Sequence, residues 1–193
     1  MTNNPCAAWT KGDPLVLKYH DTRWGKVCHD ERELFAMLCL EGMQAGLSWA
    51  TIVKKEEAMR EAYDGFNPEI LAGYSEDDVR RLMGTDGIVK NERKIRSVIG
   101  NAKAYLKFME SGEYKSFDEY IWHFTGGVQI VHHFKILNEL PSSDSLSTMI
   151  SNDLKSRGFS FVGPVIIYSY LQAIGVYDDH LDSCPCKNNQ IYS

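Results

Sequence analysis

The sequence predicts an all-α fold on three observations. Helix start and stop signals punctuate almost all of the 193 residues. No run alternates apolar and polar residues over enough length to build a sheet. A long central stretch carries one apolar stripe among cations, the pattern of a surface helix.

The elements follow in chain order. Asp30 and Glu33 make a D-x-x-E start before Leu34, Phe35 and Leu38. Ser48 caps a second helix running to about Tyr63. Asn67-Pro68 opens a short third helix that Gly73 closes, proline at the entry and glycine at the exit. Ser75 with Asp78 starts a fourth, ending at Gly84. The longest helix aligns Ile95, Ile99, Ala102, Leu106 and Met109, with cations at 90, 93, 94, 96, 103 and 107. Ser116 and Glu119 begin one containing Tyr120 and Trp122. Residues 126–145 have weak helical signals and a strand-like VQIV, which predicts a connecting loop or hairpin. Ser147–Arg157 and Pro164–Ile174 close the chain as two helices joined by a turn.

No repeat, linker or low-complexity segment divides the chain, so one catalytic domain over 1–193 is expected, with a helical body at about 30–175 and terminal segments 1–29 and 176–193. An apolar fraction of 44% suffices for a core. No apolar run is long enough for a membrane span and no signal peptide opens the chain, which predicts a soluble cytoplasmic protein. Five cysteines without a secretion signal argue against a disulfide framework and for metal ligands or core thiols. The net charge of −5 means that any polyanion must meet a local basic patch.

Three places carry chemistry. In RGFSFVGPV, 157–165, two helices are joined through a tight turn. The amides from Gly163 to Ile166, including Val165, point out of a helix N-terminus and suit a phosphate, with Lys155 and Arg157 alongside. A plain helical hairpin burying Phe159 and Phe161 fits the same residues. At the two ends, Cys6, His20, His180 and Cys184 have the number and type for tetrahedral zinc, with Cys186 as a rival for Cys184; unrelated residues would share that spacing, and Cys28 and Cys39 read as ordinary thiols. In LCLEGMQAGLSW, Glu41 shares a helix face with Leu34 and Leu38, where a carboxylate is costly unless paired or facing a cavity. Trp49, Tyr19, Trp24 and Trp9 are the aromatics that would surround a flat cationic amine held by such an acid. An exposed Glu41 paired with Lys54 is the other reading.

YHDTRWG (19–25), LEGMQAGLSWATIVKK (40–55), GNAKAYL (100–106) and GFSFVGPVIIYSYLQAIGVYDDH (158–180) together resemble the 3-methyladenine DNA glycosylase I family, over nearly the whole chain. The resemblance implies a helix-hairpin-helix DNA glycosylase that flips 3-methyladenine out of alkylated double-stranded DNA and hydrolyses its bond to the sugar. It implies one structural zinc joining the termini through Cys6, His20, His180 and Cys184. It makes the 157–165 turn a DNA grip using Gly163, Val165, Lys155 and Arg157, helped by Lys90, Arg93 and Lys94. It puts Glu41, Tyr19, Trp49, Trp24 and Trp9 in the base pocket, with Glu41 ionised and catalytic, and offers Gly46 and Leu47 to fill the gap in the duplex unless Leu47 is core. A monomer working in the cytoplasm at the nucleoid is expected. Because the departing base is cationic, no strong general acid is needed; Asp178 and Asp179 lie nearby without a clear role.

Two departures stand out. Val16 replaces a tyrosine three residues before Tyr19-His20, which alters one expected pocket wall, and the Cys6-to-Trp9 spacing is one residue longer than the family's. Val16 keeps open a non-catalytic or repurposed binder of damaged DNA with zinc and hairpin intact; a third reading is an unrelated zinc-stapled scaffold without DNA affinity.

Overall fold

The computed structural model describes residues 4–188, and the outermost ends of the 1–193 expectation lie outside that range. A 3-10 turn at Pro5–Thr10 is followed by α1 (Pro14–Thr22), α2 (Glu31–Gln44), α3 (Trp49–Ala62), α4 (Pro68–Ala72), α5 (Glu76–Gly84), α6 (Glu92–Glu110), α7 (Phe117–His123), α8 (Ser145–Ser156) and α9 (Pro164–Ala173). The class is therefore helical, as the punctuation predicts.

Caps explain most boundaries. The Asp30 carboxylate accepts from the Glu33 amide, and Ser48 Oγ accepts from Thr51. Ser75 and Asp78 close a reciprocal capping box on α5. A cap from a different helix starts α7: Glu31 accepts from the amides of Phe117 and Asp118 and from the Tyr105 hydroxyl.

Three elements differ from expectation. The segment before residue 30 is mostly helical, because Asp13 accepts from the amides of Leu15 and Val16 while Pro14 supplies the fixed φ of a first helical residue. Helix α8 starts at Ser145, since Asp144 rather than Ser147 accepts at its N-terminus. VQIV is no hairpin: β1 (Ile130–Val131) pairs in parallel with β2 (Tyr177–Asp178), a segment near the far end of the chain.

The core gathers α2, α6, α7 and α9 around Phe35, Tyr105, Phe117, Tyr120 and Tyr170, and it continues into the N-terminal segment through Tyr19 and Trp24. Helix α2 is the axis. Its residues from Leu34 to Met43 are all buried, so it can hold no solvent-facing stripe and its one deep carboxyl has no route to water along the helix.

Lys94 overturns one expectation. It is buried on α6, and its ammonium donates to the Met43 carbonyl at 2.9 Å and the Ala45 carbonyl at 2.5 Å. It satisfies orphan acceptors at the C-terminus of α2, where a cation also complements the helix dipole. It is thus a cap for the turn after α2 and is withheld from any DNA backbone. Replacing Lys94 with Met should cost about 1.5–3 kcal/mol, the worth of hydrogen bonds to a charged group. Urea unfolding checks this, and an unchanged midpoint with an unchanged slope would remove the cap from the account.

Candidate active site

A cavity of about 220 Å³ opens where α1, α2, α3 and α9 meet. Its lining includes Trp9, Tyr19, Trp24, Glu41, Gln44 and Trp49, joined by Leu140, Ser169 and Gln172. The volume is below the roughly 300–1,000 Å³ of pockets for drug-sized ligands, which suits one small heterocycle. All five residues expected around a flat base are therefore brought together.

Glu41 sits on α2 with 3% exposure. Among the described residues no hydrogen bond or ion pair reaches its carboxyl, and Lys54 is engaged instead by Asp13 at 2.5 Å. Burial alone pushes its pKa well above the carboxylate range, which favours the neutral acid in the free pocket. The ionised form expected from the sequence requires a cationic partner in the cavity. Trp49 adds a second open valence: its indole Nε1 is buried without a partner. Tyr19 faces Trp49 with ring centroids 5.3 Å apart, and burial with the nearby Glu41 raises its hydroxyl well above the usual phenol value. The site thus presents aromatic faces, one donor and one acid that a ligand can ionise.

Val16 is fully buried on α1 and is not among the residues lining this cavity, so the departure from the family pattern falls in the core. Asp178 and Asp179 are also fully buried and both are spent. Asp178 holds His180 Nδ1 at 2.7 Å and accepts from two backbone amides. Asp179 accepts from Tyr168 and Gln172 at 2.7 Å each and pairs with His132 at 2.6 Å.

The terminal Cys and His residues meet behind the pocket. Cys6, His20 and Cys184 have ligand atoms within 4.8 Å of one another, and so do His20, His180 and Cys186. His20 Nε2 lies 3.4 Å from the Cys6 sulfur and 3.9 Å from that of Cys184. Bonds of roughly 2.0 and 2.3 Å to one tetrahedral ion give an N–S edge of about 3.6 Å, so the spacing fits. Asp21 and Asp178 occupy the Nδ1 atoms of His20 and His180, which leaves the Nε2 side of each ring toward the cluster, where His180 Nε2 lies 3.4 Å from the His20 carbonyl oxygen. Leu181 N–H and Asn4 Nδ2 each approach a thiol sulfur at 3.3 Å. Cys186 is the rival donor and is only half-buried, whereas the other four are buried. Trp24 stacks on His20 at 5.7 Å and meets His180 edge-on at 4.7 Å, so one ring is a wall of both the cluster and the cavity.

The 157–163 turn packs directly on α2. A Cβ at Gly42 would lie 3.3 Å from Phe161 Cβ, so this glycine is what lets the turn sit one residue from Glu41. Phe161 adopts φ 55, and Gly163 precedes Pro164 with no side-chain cap, leaving the first amides of α9 facing outward. Val165 and Leu47 are exposed at 54% and 37%, which removes Leu47 from the core. Gln44 Nε2 braces the Leu47 carbonyl at 2.7 Å beside Gly46, whose φ is +76. Lys155 and Arg93 are exposed, whereas Arg157 is not free: Glu113 and Asp153 hold its guanidinium on the rings of Phe108 and Tyr120. Lys90 pairs with Asp86 at 2.7 Å.

Asn101 is the residue that the sequence did not single out. Buried on α6, it accepts from the Ser160 amide at 2.8 Å and donates to the Ser160 carbonyl at 3.0 Å, pinning the turn from below. Asn101→Ala should speed hydrogen exchange of the Ser160 amide on the order of tenfold, since about 1–2 kcal/mol of hydrogen bonding is lost. Exchange at the parent rate would show the turn to be rigid without the clamp.

The family model for methyladenine glycosylase matches residues 9–188. The chain is 44% identical over 178 residues to DNA-3-methyladenine glycosylase 1 of Escherichia coli K12, covering 92% of this chain and 94% of that one. It is also similar to a solved structure of 3-methyladenine DNA glycosylase I from Staphylococcus aureus, described for its recognition of 3-methyladenine, with a TM-score of 0.92 at 39% identity over 96% and 97% of the two chains. A tyrosine-to-phenylalanine variant of 3-methyladenine DNA glycosylase I in complex with 3-methyladenine gives a TM-score of 0.91 at 39% identity, over 96% and 98%.

Proposed function

The chain belongs to the methyladenine glycosylase family, and we propose from that premise how its residues carry out the excision of 3-methyladenine from alkylated DNA. The observation that carries the reading is a buried Glu41 in an aromatic cavity, without a partner among the described residues, beside an equally unpartnered Trp49 donor.

The enzyme extrudes the damaged nucleotide and seats its base among Trp9, Tyr19, Trp24 and Trp49. Methylation at N3 places positive charge on the adenine ring, and the aromatic faces and Glu41 favour that cation over neutral adenine. As the charged base enters, the carboxyl gives up its proton to solvent and accepts a hydrogen bond from the exocyclic amine, while Trp49 Nε1–H donates to a ring nitrogen. The N-glycosidic bond is already weakened by the charge, so no acid must protonate the leaving base; its electrons stay with the adenine and water adds to the sugar. Discrimination and catalysis thus share one interaction.

Duplex DNA is gripped by the uncapped amides of α9 at Val165 and Ile166, in the manner of a helix-hairpin-helix motif, with Lys155 and Arg93 as free cations nearby. Gly46 and Leu47, exposed on the turn after α2, fill the space vacated by the base. Cys6, His20, His180 and Cys184 would hold a zinc ion and so tie the termini together; with four protein donors it would supply stability and no catalytic water. The enzyme works as a single domain and as a monomer in the cytoplasm, where its DNA lies. No helix among the described residues is long and apolar enough to cross a membrane.

Glu41→Gln keeps the shape and removes the charge. Excision of 3-methyladenine should fall by roughly one to two orders of magnitude, the worth of a charge-assisted hydrogen bond at about 1.5–3 kcal/mol. Stability should move the other way. A raised native pKa stabilises below the ordinary carboxylate value of 4.5 and is lost as pH rises through the native value, so the parent weakens across that interval and the Gln variant does not. Paired melting curves from pH 5 to 9 and single-turnover assays test both halves. A variant that excises as fast as its parent would reduce Glu41 to a buried structural acid.

Cys184→Ser should lower metal content and melting temperature together, while Cys186→Ser should leave both nearly unchanged. Metal analysis of the purified variants decides it, and metal loss confined to the Cys186 variant would exchange the two assignments.

A further inference from the structure

The cavity holds a second polar group, on its α9 wall. Gln172 lines the cavity beside Ser169. Its Nε2 donates to Asp179 at 2.7 Å, and among the described residues its Oε1 accepts no hydrogen bond. Amides usually turn over when a ligand prefers the other end. This one is held, because Asp179 is fully buried, is already engaged by Tyr168 and His132, and as a carboxylate offers only lone pairs. Turning Gln172 around would set its carbonyl oxygen against that carboxylate. The acceptor end is therefore the one the cavity can use.

Glu41 lacks such a fixed polarity. A neutral carboxyl accepts from an amine through one oxygen and donates to a carbonyl through its hydroxyl, so it can satisfy either kind of base. Until a charged base ionises Glu41, another group must tell an amine from a carbonyl.

We infer that Gln172, locked by Asp179, is the specificity-determining residue that selects bases bearing an exocyclic amine, its Oε1 accepting one amine hydrogen and repelling a carbonyl oxygen. Glu41 takes the second hydrogen. Gln172 touches the base, and Asp179 is its positioning residue. The inference rests on the base pocket proposed above and adds to it the group that excludes oxo-purines.

The test uses the full chain and two free bases, 3-methyladenine and 3-methylhypoxanthine, which carry an amine and a carbonyl at the same position. Binding is followed by quenching of the pocket tryptophans. The parent should prefer 3-methyladenine strongly. Gln172→Met, which keeps the length and removes the oxygen, should weaken 3-methyladenine about threefold to tenfold and leave 3-methylhypoxanthine equal or tighter, narrowing the preference. Asp179→Asn, free to donate as well as accept, should narrow it in the same direction with the Gln172 side chain in place. Equal weakening of both bases in Gln172→Met would make the residue wall packing and overturn the inference, as would an unaltered ratio in both variants. Should Gln172→Met fail to fold, the ratio in Asp179→Asn decides. A parent that binds neither base would instead refute the pocket itself, and that failure is recognised without any variant.

Discussion

The structure depends on keeping one carboxyl, Glu41, out of water without giving it a partner. An acid at that position on a buried helix favours its neutral form and costs stability once ionised. Three features make the arrangement tolerable. Helix α2 is packed on all sides, so no solvent follows it inward. Lys94, at the C-terminal end of α2, is tied to the Met43 and Ala45 carbonyls and stays away from the acid. The four lining aromatics close the remaining side without offering Glu41 a hydrogen bond. The unsatisfied valence is then available to whatever enters the cavity.

The same constraint explains why the termini are drawn together. Two of the aromatic walls, Trp9 and Tyr19, come from the first twenty residues, where short elements have little core of their own. They are held by the Cys and His cluster, which draws on both ends of the chain, and by parallel pairing of β1 with β2. Trp24 lies between the two imidazoles and the cavity, so the cluster's position sets the pocket's shape. Asp21 and Asp178 fix the imidazole faces in turn. A cluster outside the cavity thereby governs recognition within it.

Much of this was legible in the sequence, for identifiable reasons. Caps are local, so Asp30, Ser48, Asn67 and Ser75 announced their helices correctly. The misplaced acid was visible as a break in an apolar helix face. Asp13-Pro14 carries an equally local signal for α1, a capping acid before a proline at the first helical position. What the sequence could not give was pairing across distance. VQIV finds its partner almost fifty residues away, and Asn101 reaches the turn at Ser160 from another helix. Charge was the least readable property: Lys94 and Arg157 look like phosphate ligands in a string of letters, yet one is a buried cap and the other is clamped by two carboxylates. Val16 erred the opposite way, because a position three residues before Tyr19 turns toward the core and not toward the cavity.

The division of labour between protein and substrate follows from which acids are free. Asp178 and Asp179 would be the natural candidates for work on the sugar or on water, being next in the chain to a metal-type histidine and close to α9. Both are fully buried and each already makes three hydrogen bonds, so freeing either would dismantle the His180 or Gln172 arrangement. Glu41 remains, and in the free pocket it is neutral. A pocket so built cannot drive departure of an unmodified base, which would need strong protonation to leave. It can favour a base that arrives charged, since that charge both weakens the bond to the sugar and ionises the one acid present. On the proposed mechanism, a preference for cationic lesions follows from the carboxyl's burial, and a more reactive acid placed there would widen the range at the expense of intact DNA.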